Sequence, residues 1–161
     1  MIVSNSSPII ILGKQGKLNL LKKCFLKIAI PQAVYSEVTQ LASSKESIAL
    51  KNAIDEKWIF VETVTPVKAA QTSKLGEGEK EAISLAAKHK KKLIIDDDDS
   101  KTYASLAGVE AHGTLFVVYT AFIKNIISKA EAISMFKRMI ADGFYVSTDI
   151  YSRFLELLDS R

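Results

Sequence analysis

Five short apolar runs, each handing over to a helical pattern, constrain this chain more than any other feature. Ile2 to Ser4, Lys27 to Ile30, Ile59 to Glu62, Leu93 to Ile95 and Val109 to Ala111 read as buried strands. Helical stretches lie between and after them: from Ser7-Pro8, Leu18 to Phe25, Gln32 to about Leu41, about Ser44 to Glu56, and Gly76-Glu77-Gly78 to about Lys90. Asp99 or Ser100 is placed to cap the next helix, which runs to Ala107 with Gly108 as its stop. Leu115 to Ile123, Ser128 to Ala141 and Asp149 to Leu158 complete the set, while Thr63 to Leu75 reads as a loop. Strands alternating with helices predict a three-layer α/β/α domain around a mostly parallel sheet. The expectation is one domain over residues 1–161, with 143–161 as a helical tail.

Composition sets the outer bounds. The balance of 48% apolar and 25% charged residues over 161 positions is that of a globular domain and argues against global disorder. The net charge of +4 is compatible with a polyanionic partner without requiring one. Cys24 is the only cysteine, so neither an intrachain disulfide nor a thiolate zinc site can be built, and its apolar surroundings suit a core residue. No basic n-region precedes an apolar stretch at Met1-Ile2-Val3, and no apolar run reaches the ~18 residues of a membrane span. A cytoplasmic protein with no membrane partner is the expectation.

The chemistry is read from acids placed where the pattern wants apolar side chains. Successive helical residues advance by ~100°, which puts Ala82, Ile83 and Ala86 within ~60° of Glu79 and turns Glu77 and Glu81 toward water. The same wheel sets Glu37 beside Ala33, Val34 and Leu41. Both Glu37 and Glu79 are therefore expected to project inward, where an unpaired carboxylate needs a cation, a hydrogen-bond partner or a proton. Asp96-Asp97-Asp98-Asp99 follows the fourth strand, and Asn5 holds the equivalent place after the first, where open α/β sheets bind ligands. Capping one helix needs only one of those four acids. Alone, the four acids read as a solvated turn that complements the helix dipole; combined with Glu37 and Glu79 they read as a carboxylate cage for Mg²⁺ or Mn²⁺, able to activate water against a phosphodiester. His89-Lys90-Lys91-Lys92 reads either as a basic helix terminus suited to the dipole or as a phosphate-contacting patch. His89 is expected in solvent and His112 in a structural role.

Four blocks of the chain also resemble a known family. Val3 to Ile10, Ile30 to Val38, Leu75 to Ile83, and Leu93 to Asp97 followed by Gly113-Thr114 resemble, in order, the blocks of PIN domains. The nearest likeness is to a PIN-related branch often described as nucleic-acid-binding, and Gly143 to Ser147 resembles its C-terminal tail. The resemblance implies a Mg²⁺- or Mn²⁺-dependent ribonuclease fold related to the toxins of VapBC-type toxin–antitoxin pairs. It implies metal ligation by Asn5, Glu37, Glu79, Asp96 and Asp97, with Glu37, Glu79 and Asp97 catalytic and Ser6 or Ser7 as the hydroxyl near the first acid. RNA and an antitoxin protein are the partners it implies. Two positions depart from the pattern: Asn5 stands where the first Asp is usual, and Lys101 where Arg is more frequent. Asn keeps a ligating carbonyl but removes one charge, so the alternative expectation is a catalytically impaired PIN fold that binds RNA or protein. The apolar helices at Leu115–Ile123 and Ile133–Met139 suit either core packing or a homodimer face.

Overall fold

The computed structural model describes residues 1–161 as an α/β domain. Five strands, β1 (Ile2–Ser4), β2 (Ile28–Pro31), β3 (Ile59–Glu62), β4 (Leu93–Ile94) and β5 (Ala111–His112), form one sheet in the order β3-β2-β1-β4-β5. Every pairing is parallel, with Val3 level with Ala29 and Leu93. An entirely parallel sheet follows from crossover helices that return the chain to the same edge each time. From β1 the chain winds outward through β2 to β3, then returns to β4 on the other side of β1. The sheet thus has its topological switch point between β1 and β4.

Side chains alternate across the pleat, and each face collects its own core. Ile2, Ile28, Ile30, Ile59 and Ile94 join the larger cluster, which holds helices α1 (Ser6–Lys14), α2 (Asn19–Phe25) and α4 (Lys45–Asp55). Val3, Ala29, Leu93 and Ile95 point the other way, onto α5 (Glu77–His89) and α6 (Asp98–Leu106). After β5, helices α7 (Thr114–Ile123) and α8 (Lys129–Ala141) cross back to the larger face, where Val117, Val118, Met135 and Phe136 are buried. The last helix, α9 (Thr148–Asp159), rests on α8 through Phe154, whose ring meets Phe136 edge-on at 4.7 Å. The buried residues of α7 and α8 thus pack within the chain, while Ile140 of α8 is exposed.

Several boundaries differ from the sequence reading. Helix α3 (Gln32–Val38) ends three residues before Leu41, which is exposed. A short 3₁₀ turn, Lys68–Ala70, interrupts the expected loop, because Ala70 is buried against the smaller core. The cap of α6 is Asp97 rather than Asp99 or Ser100, its Oδ2 accepting bonds from Ser100 N and Oγ at 2.8 Å. No helix is long and apolar enough to cross a membrane.

Candidate functional site at the switch point

Asn5 follows β1 at the centre of the sheet. Its backbone N–H donates to Ile94 O at 2.9 Å, which ties it to β4. It holds the N-cap position of α1, where a side-chain oxygen ordinarily accepts a helix N–H, yet no such bond forms. Its Oδ1 is instead buried with no hydrogen-bond partner. An acceptor left so costs about 1–3 kcal/mol, which a bound water or cation would relieve.

Across the switch point stands Asp96. Thr114 opens α7 and clamps this carboxylate twice: its backbone N–H donates to Oδ1 and its hydroxyl to Oδ2, both at 2.7 Å. The approach needs Gly113, where a Cβ would lie 2.9 Å from Asp96 Oδ1. Burial raises the Asp96 pKa above the ordinary carboxylate value, against the opposing pull of the Thr114 bonds and of Lys101. Asp98 is exposed and pairs with Lys101 at 3.3 Å. Asp96, Asp97, Lys101, Ser7 and Lys14 line a cleft of about 690 Å³ together with Phe144 and its neighbours.

Helix α3 carries the other acid. The Glu37 carboxylate lies over the first turn of α5, where a Cβ on Gly78 would come within 2.5 Å of its Oε1. Only glycine leaves room for that approach. Glu37 itself is exposed rather than directed into the core, because the buried stripe of α3 is formed by Val34 and Val38. Glu79 is half-buried and turns back on its own helix, its Oε2 accepting from Gly76 N at 2.8 Å. Glu81, expected on the wet face, is the glutamate that bridges α5 to α3, through Ala33 N at 2.9 Å. A helix wheel ranks apolar neighbours on one helix and is blind to the open N–H groups of another, which is why Glu81 was missed.

The five expected ligands thus share one edge of the sheet without forming a closed cage. Asn5 and Asp96 flank the switch point, Asp97 caps α6, and Glu37 and Glu79 meet the start of α5. No three Asp, Glu, His or Cys side chains converge as a metal-holding group. The donors fit a hard divalent cation by chemistry, since all are oxygens and Asn5 Oδ1 is an orphaned buried one. Neither histidine belongs to this edge set. His112 stacks on Phe116 at 4.0 Å and bonds Glu110, while His89, expected in solvent, is half-buried and 2.8 Å from Glu62.

Comparison with known proteins adds two findings. The family described as PIN domain matches residues 1–160. Among solved structures, the chain is similar to a PilT N-terminus domain protein from the hyperthermophilic archaeon Sulfolobus solfataricus P2, at 18% identity and a TM-score of 0.48, covering 73% of this chain and 90% of that one. No curated protein matches.

Proposed function

The chain belongs to the PIN-domain family, and from that premise we propose that it is a divalent-cation-dependent ribonuclease. The observation that carries this reading is the buried, unpartnered Oδ1 of Asn5, a residue that follows β1 beside β4, the strand the acids follow. Asn5, Glu37, Glu79, Asp96 and Asp97 would hold Mg²⁺ or Mn²⁺. A cation bound there supplies a more acidic water and neutralises charge on the phosphate. The chain's own contribution is positioning. Thr114 fixes the Asp96 carboxylate, Gly78 admits Glu37 to the start of α5, and Lys14 and Lys101 bring positive charge to the cleft for an anionic substrate.

Labelled single-stranded RNA incubated with Mg²⁺ or Mn²⁺ tests the proposal. Cleavage is expected, with loss in EDTA and in a Glu37→Ala/Asp97→Ala variant whose thermal melt shows that it still folds. A toxin role belongs to the same proposal: expressing the intact chain arrests growth, and expressing the double variant does not.

A second reading, a PIN fold that binds RNA or protein without cutting, is favoured by one specific observation. Asn5 is neutral, and no three acids converge beside it. A charge at ~4 Å from a cation is worth up to ~4 kcal/mol at an effective dielectric of 20, before hydration is subtracted. Under this reading Asn5→Asp tightens Mg²⁺ binding at least tenfold by calorimetry and creates cleavage where the natural chain has none. Cleavage by the natural chain overturns it.

A further inference from the structure

The lysine run noted in the sequence lies on the opposite edge of the sheet from the acids. Lys57 precedes β3, Lys27 precedes β2, the Met1 amine precedes β1, and Lys90-Lys91-Lys92 precede β4. Backbone bonds fix this alignment: Ile2 N donates to Lys27 O, Val3 N to Lys92 O, and Ile28 N to Trp58 O. All five lysines are exposed. Lys92 is paired with Glu110 at 2.7 Å, and no ion pair engages Lys27, Lys57, Lys90 or Lys91. With strands ~4.8 Å apart, the row from β3 to β4 is ~14 Å long. Helix dipoles favour cations here, since Lys90 is the C-cap of α5 and Lys27 and Lys57 directly follow the C-caps of α2 and α4, but a dipole neither pairs nor covers these ammonium groups, which stay open to a phosphate.

This row cannot reach a phosphate held by the acids. Helix α5 separates the two edges, and its 13 residues at ~1.5 Å each span ~18 Å from Glu77 to His89. We propose that the N-terminal edge of the sheet is a second, cation-independent binding surface for the phosphate backbone of single-stranded nucleic acid. The row offers closely spaced, unneutralised cations along a line, which suits a polyanionic strand. An anionic membrane is disfavoured, because the exposed apolar residues of this edge are few, Met1 and Leu26 ahead of adjacent strands and Leu106 ahead of β5, and no amphipathic helix presents them together. Phe60, 36% exposed under Lys27 at 5.6 Å, adds a ring beside the row. The proposal does not rest on the nuclease reading, since it requires neither cation nor cleavage.

Fluorescence anisotropy with a labelled single-stranded RNA of about 20 nucleotides, in EDTA, tests it. Four phosphate contacts give a log–log salt slope near −2.8, so affinity is expected to fall about 50-fold from roughly 50 to 200 mM KCl. In Lys27→Gln/Lys57→Gln/Lys90→Gln/Lys91→Gln, binding at the lower salt weakens at least tenfold and the slope flattens. The comparison is a variant with the same charge loss elsewhere, Lys45→Gln/Lys68→Gln/Lys74→Gln/Lys137→Gln, which should keep most of the affinity. Equal loss in both variants overturns the proposal, as does unchanged binding in the first. Lysine-dependent binding to phosphatidylserine vesicles without RNA binding overturns it in favour of a membrane. The Glu37→Ala/Asp97→Ala variant should bind RNA in EDTA as the natural chain does. Cleavage without EDTA-resistant binding would sink this surface alone, and binding without cleavage would sink the nuclease alone.

Discussion

Gly78 is where one missing carbon governs the candidate site. A Cβ there would collide with the Glu37 carboxylate at 2.5 Å, while alanine suits the helix itself better than glycine by about 1 kcal/mol. Gly78→Ala should therefore leave the melting temperature unchanged or raised and still depress any cleavage, because Glu37 has to move. Parallel melts and cleavage assays check the split, and a variant that loses stability and activity together would contradict it. Asp96 makes a second prediction. Its pKa is raised in the folded state, chiefly by burial, so its contribution to stability is full below the unfolded carboxylate pKa and lost as pH rises through the raised value. Asp96→Asn keeps an acceptor for Thr114 N and offers a donor to Thr114 Oγ1 without the buried charge. It should melt at or above the natural temperature at neutral pH, with that advantage shrinking toward zero below about pH 4. Melting curves across pH read this directly. The identities of these acids were legible in the sequence. Their partners Thr114 and Gly78 were not, because each lies on a different helix from the acid it serves.

At the scale of elements, the start of α5 organises the acidic edge. Glu79 accepts the N–H of the N-cap residue Gly76, Gly78 admits Glu37, and Glu81 reaches the open N–H of Ala33 at the start of α3. A carboxylate at a helix start meets both an unsatisfied donor and the positive end of the dipole. Glu81→Ala should cost about 1 kcal/mol and lower the melting temperature by about 2–4 °C. Glu81→Gln, which keeps an acceptor, should lose less. An Ala variant as stable as the natural chain would remove Glu81 from the α3–α5 junction. The sequence wheel placed Glu81 in water and Glu79 and Glu37 inside, a ranking that holds for a helix lying flat on a sheet. The stripe that α3 buries runs through Val34 and Val38, which leaves Glu37 on the side that meets Gly78 of α5.

For the whole molecule, the larger face carries the C-terminal helices. Phe136 is fully buried and contacts both Tyr151 and Phe154, so it couples α8 to α9 and helps hold the cleft lining around Phe144. Phe136→Ala should cost about 3–5 kcal/mol, seen as a lower denaturant midpoint, with earlier proteolysis of the 143–161 segment. Charge is uneven at this same scale, with Asp96 to Asp99 along the C-terminal edge of the sheet and Lys27, Lys57, Lys90 and Lys91, none in an ion pair, along the N-terminal edge. By itself the sequence determined the α/β alternation, the strand positions to within a residue or two, and the placement of Asn5 after β1 and of the acids after β4. Those follow from local periodicity, and a parallel sheet places every strand end on a common edge. Only the tertiary structure decided that Asn5 Oδ1 has no partner, that Glu37 lies over Gly78, that Thr114 holds Asp96, and that the lysine run faces away from the acids. Each of these depends on which helix starts and ends meet in space, and that is set by crossover geometry rather than by any local pattern.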